Sequence, residues 1–167
     1  MSLSLEQINA LNADDFVIVF GGIYEHSPWV ARQAAAARPF ASVDEMLAVM
    51  QSAVGAAAHD IELALIRAHP ELKGRPAADL TADSRAEHKS VGLDQCSPQE
   101  LEQLESLNRA YLQKFGFPFV IAVRGLTRAQ IMDSLSSRLG NDYAVEFDTC
   151  LAQIDRIAGL RLAALTQ

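Results

Sequence analysis

Three hydrogen-bonding side chains share a face of a predicted helix on which apolar residues are expected. On the predicted helix 82–91, the i, i+3, i+4, i+7 spacing of one face is occupied by Ser84, Glu87, His88 and Val91. A face of this kind can line a polar pocket and bind a ligand through hydrogen bonds. The same spacing also fits a helix face in contact with water, and periodicity leaves both interpretations open.

Arg161 falls on the apolar stripe of the last predicted helix. It follows Ile154 by seven residues, which places it about 20° from Ile154 around the helix axis. A buried guanidinium needs an anion, because burying an unpaired charge is costly. That anion is either an acidic residue of this chain or a substrate carboxylate held in the bidentate geometry of arginine. A third alternative is an arginine stem that reaches water.

His69 is followed by a proline and is therefore expected at the end of a helix predicted over 58–68. The carbonyl end of a helix favours a protonated imidazole, which suits a general acid. A histidine that only caps the helix fits the same position. A metal site made of His69, Glu87 and His88 has no recognised ligand spacing, so we predict no metal.

Helix-start signals recur along the chain, whereas alternating strand patterns do not. Capping boxes of the form Ser/Thr-x-x-Glu/Gln begin at Ser4, Ser42, Ser97 and Thr127, and Pro28 and Pro98 fit first helical positions. We therefore predict an all-α single domain over residues 1–167, a bundle of about eight or nine helices with one short extended segment, 117–123. The predicted helices are 5–12, 14–21, 28–37, 43–54, 58–68, 82–91, 98–115, 128–139 and 142–165.

Composition and charge narrow the classes of partner. The 167 residues are 50% hydrophobic, and 14 basic against 21 acidic residues give a net charge of −7. This charge would repel a phosphate backbone, so we expect no nucleic acid as partner. No apolar run approaches the length of a membrane span and no leader is recognised, so we expect no membrane and a cytoplasmic location. Two cysteines cannot build a disulfide framework.

Several segments resemble signature stretches of the 2-oxo-4-hydroxy-4-carboxy-5-ureidoimidazoline (OHCU) decarboxylase family. They are HPELKGR at 69–75, SRAEH at 84–88 and YLQKFGFPFVI at 111–121. The likeness extends nearly end to end through 21–29, 38–40, 138–142 and 157–162.

The resemblance implies an all-helical enzyme of uric acid breakdown that needs no cofactor, forms a homodimer and converts the small molecule OHCU to (S)-allantoin. It gives His69 the role of proton donor and makes Glu87 the second catalytic residue. Main-chain groups of the extended segment would be available to a flat heterocycle, because no neighbouring strand is predicted to pair with them. The substrate-binding residues implied are Pro70, Ser84, Arg85, Ala86, Glu87, His88, Phe119, Val120, Ile121, Ala122, Val123 and Arg161.

His88 departs from the family pattern, which usually has glutamine at this position. Both side chains donate hydrogen bonds, but only histidine can become charged. Two alternatives remain at this stage: a helical interaction module without catalysis, and a decarboxylase of a related ureido or purine-derived acid.

Overall fold

The computed structural model describes residues 2–74 and 80–167, and Arg75 of the family-like segment lies outside them. Within those ranges the chain is helical without a sheet, and Leu3 and Thr166 form an isolated parallel bridge. The all-α prediction is confirmed. The helices are α1 (Leu5–Ala10), α2 (Ala13–Phe20), α3 (Trp29–Ala35), α4 (Val43–Gly55), α5 (His59–Arg67), α6 (Ala82–Ser90), α7 (Pro98–Phe115), α8 (Arg128–Arg138) and α9 (Tyr143–Leu165).

The predicted helix starts agree with the capping geometry. Complete capping boxes begin α1, α7 and α8 at Ser4, Ser97 and Thr127, and Ser42 caps α4 through the amide of Glu45. Pro98 is the first residue of α7 as predicted. The prediction for Pro28 is wrong by one position. Pro28 is the N-cap of α3 and offers no side-chain hydrogen bond there.

The chain divides into two compact units, residues 1–68 with 154–167 and residues 69–153. In the first unit α3 packs against both α2 and α4. Its core includes Phe16 and Phe20, whose ring centroids are 4.8 Å apart, and the fully buried Met46 and Met50. Burial of each such side chain stabilises the fold by roughly 1.5–3 kcal/mol. The prediction of one domain over 1–167 stays a prediction.

The second unit has an aromatic core. Tyr111 and Phe115 of α7 pack together with ring centroids 4.7 Å apart, and the edge of Tyr111 meets Phe119 at 5.4 Å. Phe117 contacts Phe147 of α9 edge-on at 5.9 Å. These contacts bury the extended segment 117–123 among helices, so it needs no neighbouring strand. Among the described residues, no helix has the length and apolar character that crossing a membrane requires.

Two glycines give a matched test of backbone strain. A methyl group added at Gly55 or at Gly125 would meet no heavy atom within 4 Å, but only Gly125 has a left-handed φ, of 82°. We expect Gly125→Ala to lower the free energy of unfolding by about 1 kcal/mol. Gly55→Ala, at the end of α4, should raise it by up to about 1 kcal/mol. Urea denaturation measures both, and equal effects of the two substitutions would contradict the assigned backbone conformation.

Candidate active site

The polar face predicted on α6 is partly buried. Thr81 caps the helix by accepting a 3.2 Å hydrogen bond from the Ser84 amide, and Ser84 itself is only 2% exposed. Glu87, His88 and Val91 are half-buried on the same face. The face is therefore partly covered and partly in contact with water. Two residues expected to bind substrate, Arg85 and Ala86, lie on the exposed side of α6.

His69 is buried, with 6% of its surface exposed, and Pro70 beside it is half-buried. Helix α5 ends at Arg67 with Ala68 as its C-cap, so His69 begins the non-helical segment that follows. Asn108 of α7 holds this segment by donating a 2.7 Å hydrogen bond to the carbonyl of Leu72. This bond fixes the main chain three residues after His69. An amide donor to a buried carbonyl removes the large cost of leaving that carbonyl unpaired.

A cavity of about 240 Å³ lies beside α6 in the same unit. Its polar lining is mostly basic, and such a lining favours anionic over cationic ligands. Asp94 is the one carboxylate in the lining of this cavity within the described part of the chain. The other lining residues are Lys73, Leu80, Arg85, His88, Lys89 and Leu93.

Main-chain groups of the extended segment are partly paired. Arg138 Nη1 donates to the Val120 carbonyl at 2.8 Å, and the Ala122 amide donates to Gln153 Oε1 at 3.0 Å. The Val123 carbonyl accepts from the Leu126 amide. Between them, the N–H and C=O of Ile121 have no hydrogen-bond partner among the described residues. The expectation of available main-chain groups therefore holds for Ile121 and is wrong for the three paired groups.

The buried ion pair of Arg138 and Glu146 contacts this segment through Arg138. Arg138 of α8 donates from Nε to Glu146 Oε1 of α9 at 2.6 Å, and Glu146 is fully buried. Glu146 also accepts from the Tyr111 hydroxyl and, at 2.9 Å, from Asn141 Nδ2. Cys150 accepts from Arg138 Nη2 at 3.3 Å. Burial raises the pKa of Tyr111 and of Cys150 above their ordinary values, so both keep their protons at neutral pH.

Arg161 is buried in the first unit and is paired within the chain. Its Nη1 lies 2.8 Å from Glu25 Oε2 and 3.3 Å from the Gly22 carbonyl, and both side chains are almost inaccessible to water. The predicted burial of Arg161 on the apolar stripe is confirmed, and an acidic residue of this chain supplies the anion. Nearby, the Tyr24 hydroxyl donates to Asp155 at 2.8 Å, and burial raises the pKa of Asp155 despite this bond.

Among the described residues, five buried polar residues were missed in the sequence, namely Glu25, Ser27, Asn108, Arg138 and Glu146. A signal was present for Arg138, which follows Ile131 and Leu135 at the i, i+4, i+7 spacing of an apolar stripe, as Arg161 does on α9. Among the described residues, no three His, Cys, Asp or Glu side chains come close enough to hold a metal ion.

Comparison with known proteins identifies the family. The sequence model of OHCU decarboxylase matches residues 9–163, which is nearly the whole chain. The chain belongs to the OHCU decarboxylase family. A family member from Haloferax volcanii named 2-oxo-4-hydroxy-4-carboxy-5-ureidoimidazoline decarboxylase is 44% identical over 161 residues, covering 96% of this chain and 95% of that protein.

Solved structures of the family share the fold. A crystal structure of (S)-allantoin synthase superposes with a TM-score of 0.80 at 27% identity, over 99% of this chain and 54% of the synthase chain. The chain therefore spans about half the length of that synthase. A crystal structure of OHCU decarboxylase in the presence of (S)-allantoin superposes with a TM-score of 0.69 at 24% identity, over 91% of this chain and 96% of the other.

The buried charge of Arg161 depends on Glu25. Removing one partner of a buried ion pair leaves the other charge uncompensated, so we expect Glu25→Gln to lower the free energy of unfolding by about 3 kcal/mol. Glu102→Gln is the control, because Glu102 is exposed on α7 and its substitution should change stability by less than about 0.5 kcal/mol. Urea denaturation compares the two variants. If Glu25→Gln behaves like Glu102→Gln, Arg161 does not rely on this carboxylate.

Proposed function

We propose that this protein decarboxylates OHCU to (S)-allantoin in uric acid degradation, with His69 as proton donor and without a cofactor. The observation that carries the proposal is a histidine held out of water within a family-specific segment. His69 is 6% exposed, and Asn108 holds the main chain three residues later by a hydrogen bond to the Leu72 carbonyl. Membership of the family supports the assignment as a carboxy-lyase rather than as a non-catalytic interaction module.

The chemistry fits an enzyme built from side chains alone. In OHCU the carboxylate and a hydroxyl group are attached to ring carbon 4, which lies between a ring nitrogen and carbon 5, the carbon that carries the ureido group. When the bond to the carboxylate breaks and carbon dioxide leaves, the electron pair stays on the ring, which can delocalise it. A proton is then delivered from one face to carbon 5, while the hydroxyl group on carbon 4 loses its proton and becomes a carbonyl, so that a single stereoisomer of allantoin forms. The protein must therefore orient the carboxylate, stabilise the electron-rich ring and supply one proton.

The proposed roles follow from the type and burial of each residue. His69 delivers the proton, and general acid catalysis of this kind contributes about 10²- to 10⁴-fold in rate. Glu87 and His88 on the inner face of α6 bind the ureido group, with Ser84 beside them. The resemblance assigns Arg161 to the substrate carboxylate. Because Arg161 is already paired with Glu25 at 2.8 Å, its guanidinium is held in one orientation before substrate binds. A homodimer and a cytoplasmic location belong to the same proposal.

Loss of His69 should abolish turnover. OHCU is generated in situ from urate by the upstream enzymes, and the appearance of optically active allantoin is followed in the presence of a chelator. We expect wild type to be active and His69→Asn to lose at least 100-fold in kcat, since the proton donor is removed with little change in packing. His59→Asn is the matched control, because His59 is exposed at the start of α5 and should leave the rate unchanged.

Two results would overturn the proposal. A wild-type protein that does not accelerate OHCU loss, or does so only with added metal, would contradict the proposed reaction. A folded His69→Asn variant that keeps more than about a tenth of the wild-type rate would contradict the role of His69 as general acid.

His88 should make substrate binding sensitive to pH. A protonated His88 would attract an anionic substrate but would also compete for Glu87, so kcat/KM should change in the histidine range, about pH 6–7. The cavity that His88 lines is also lined by Lys73, Arg85, Lys89 and Asp94, which are the other charged side chains facing it among the described residues. We expect His88→Gln to stay active and to lose one ionisation from its profile of kcat/KM against pH.

The wild-type profile is the reference for this experiment. The ionisation of His69 should remain in the His88→Gln variant, since His69 lies on a separate segment. Superimposable profiles for the two proteins would show that His88 does not titrate next to bound substrate.

A further inference from the structure

We propose that Gln153 and Arg138 are positioning residues that hold the main chain of Ile121 in place to bind the substrate ring. The inference rests on the proposed function and deepens it. It assigns a role to two side chains that lie outside the residues that the family resemblance implies. It also selects one residue of the extended segment 119–123 as the one whose main chain is presented to the ligand.

The pattern of hydrogen bonds around Ile121 carries the inference. Val120, on one side, is held through its carbonyl by Arg138 Nη1 at 2.8 Å. Ala122, on the other side, is held through its amide by Gln153 Oε1 at 3.0 Å. Ile121 is the one residue of this stretch of three whose N–H and C=O both lack a hydrogen-bond partner among the described residues. Ile121 is also half-exposed, whereas Val120 and Ala122 are buried.

The anchor at Arg138 is rigid because its guanidinium is restrained from several sides. Glu146 accepts from Arg138 Nε at 2.6 Å, and Cys150 accepts from Nη2 at 3.3 Å. The plane of the guanidinium also lies over the Phe119 ring, 4.3 Å from its centroid. A planar fork with a hydrogen bond at each of its three nitrogens cannot rotate without breaking a bond, so the Val120 carbonyl is held at a fixed point.

Gln153 holds the extended segment at a second point, the amide of Ala122. Gln153 lies on α9 one turn beyond Cys150 and is half-buried, so its amide oxygen reaches the extended segment from a regular helix. With Val120 and Ala122 both held, the peptide groups of Ile121 between them have little freedom. Donors and acceptors that are already ordered bind a ligand with a smaller loss of conformational entropy.

The N–H and C=O of Ile121 complement the hydrogen-bonding groups of the substrate ring. OHCU carries a ring carbonyl at position 2 next to ring nitrogen, which places a hydrogen-bond acceptor beside a donor. The N–H and C=O of one residue present a donor and an acceptor on the same stretch of chain. Two hydrogen bonds of this kind would set the orientation of the flat ring relative to the proton donor. The interaction is made with ground state and transition state alike, so its loss should act on KM more than on kcat.

The test uses Gln153→Met in the full-length protein. Methionine has a similar length but cannot accept the hydrogen bond from Ala122, so we expect KM for OHCU to rise about tenfold while kcat stays within threefold of wild type. Gln103→Met is the control, because Gln103 is exposed on α7. Substitution of Arg138 removes a partner of a buried ion pair and threatens the fold itself. The experiment therefore substitutes Gln153 and leaves Arg138 unchanged.

A second measurement separates positioning from a merely structural role. Amide hydrogen exchange followed by NMR should show the Ala122 N–H protected in wild type and more rapidly exchanging in Gln153→Met. Addition of (S)-allantoin as the probe should slow exchange of the Ile121 N–H in wild type, and less so in the variant at the same concentration. A variant that is only destabilised would instead lose active protein, with KM unchanged.

The outcomes distinguish this inference from the proposed function. An active wild type together with a Gln153→Met variant whose KM is within twofold overturns the positioning role and leaves the function standing. An Ile121 amide that is not protected by (S)-allantoin at saturating concentration has the same consequence. A wild type without activity on OHCU overturns the proposed function and this inference with it.

Discussion

The buried ion pair of Arg138 and Glu146 is the interaction on which the second unit depends. Two opposite charges removed from water are tolerated only where each has further hydrogen bonds. Glu146 receives them from Tyr111 and Asn141, and Arg138 gives them to Val120 and Cys150. The pair therefore joins α7, α8, α9 and the extended segment at one point. A shift of any of these elements would leave a buried charge or a buried carbonyl without its partner.

The extended segment explains why an all-helical unit needs such a pair. A helix satisfies its own main-chain groups, and a strand relies on its neighbour, but segment 117–123 has neither. Side chains from α8 and α9 supply the missing partners through Arg138 and Gln153. They do so on both sides of Ile121, whose own N–H and C=O have no partner in the part of the chain that the structure describes. Arg138 and Gln153 thus anchor the main chain of an irregular buried segment that has no neighbouring strand among the described residues.

The first unit uses the same device with Arg161 and Glu25. Each arginine occupies a position on an apolar helix stripe, and each is held by a buried carboxylate of another element. Glu146 is eight residues from Arg138 in the sequence, whereas Glu25 is 136 residues from Arg161. An arginine fixed in this way is oriented before any ligand arrives, because its rotamers are already restricted. Removal of the partner carboxylate would leave the charge buried and free to adopt other orientations.

Local chemistry determined the helices, because caps, prolines and periodic apolar residues act within a few neighbouring positions. The sequence thus predicted each helix to within about two residues of the observed ends and placed Arg161 on an apolar stripe. It left open whether the face of Ser84 and Glu87 is in contact with water. The sequence did not predict which buried charged residues pair with each other. Glu25 and Arg161 are separated by 136 residues, and no local rule connects them. Only the tertiary structure decided that Asn108 holds Leu72, that Arg138 holds Val120, and that the main chain of Ile121 has no partner among the described residues. These contacts depend on which helix faces meet, and packing of the whole unit determines that.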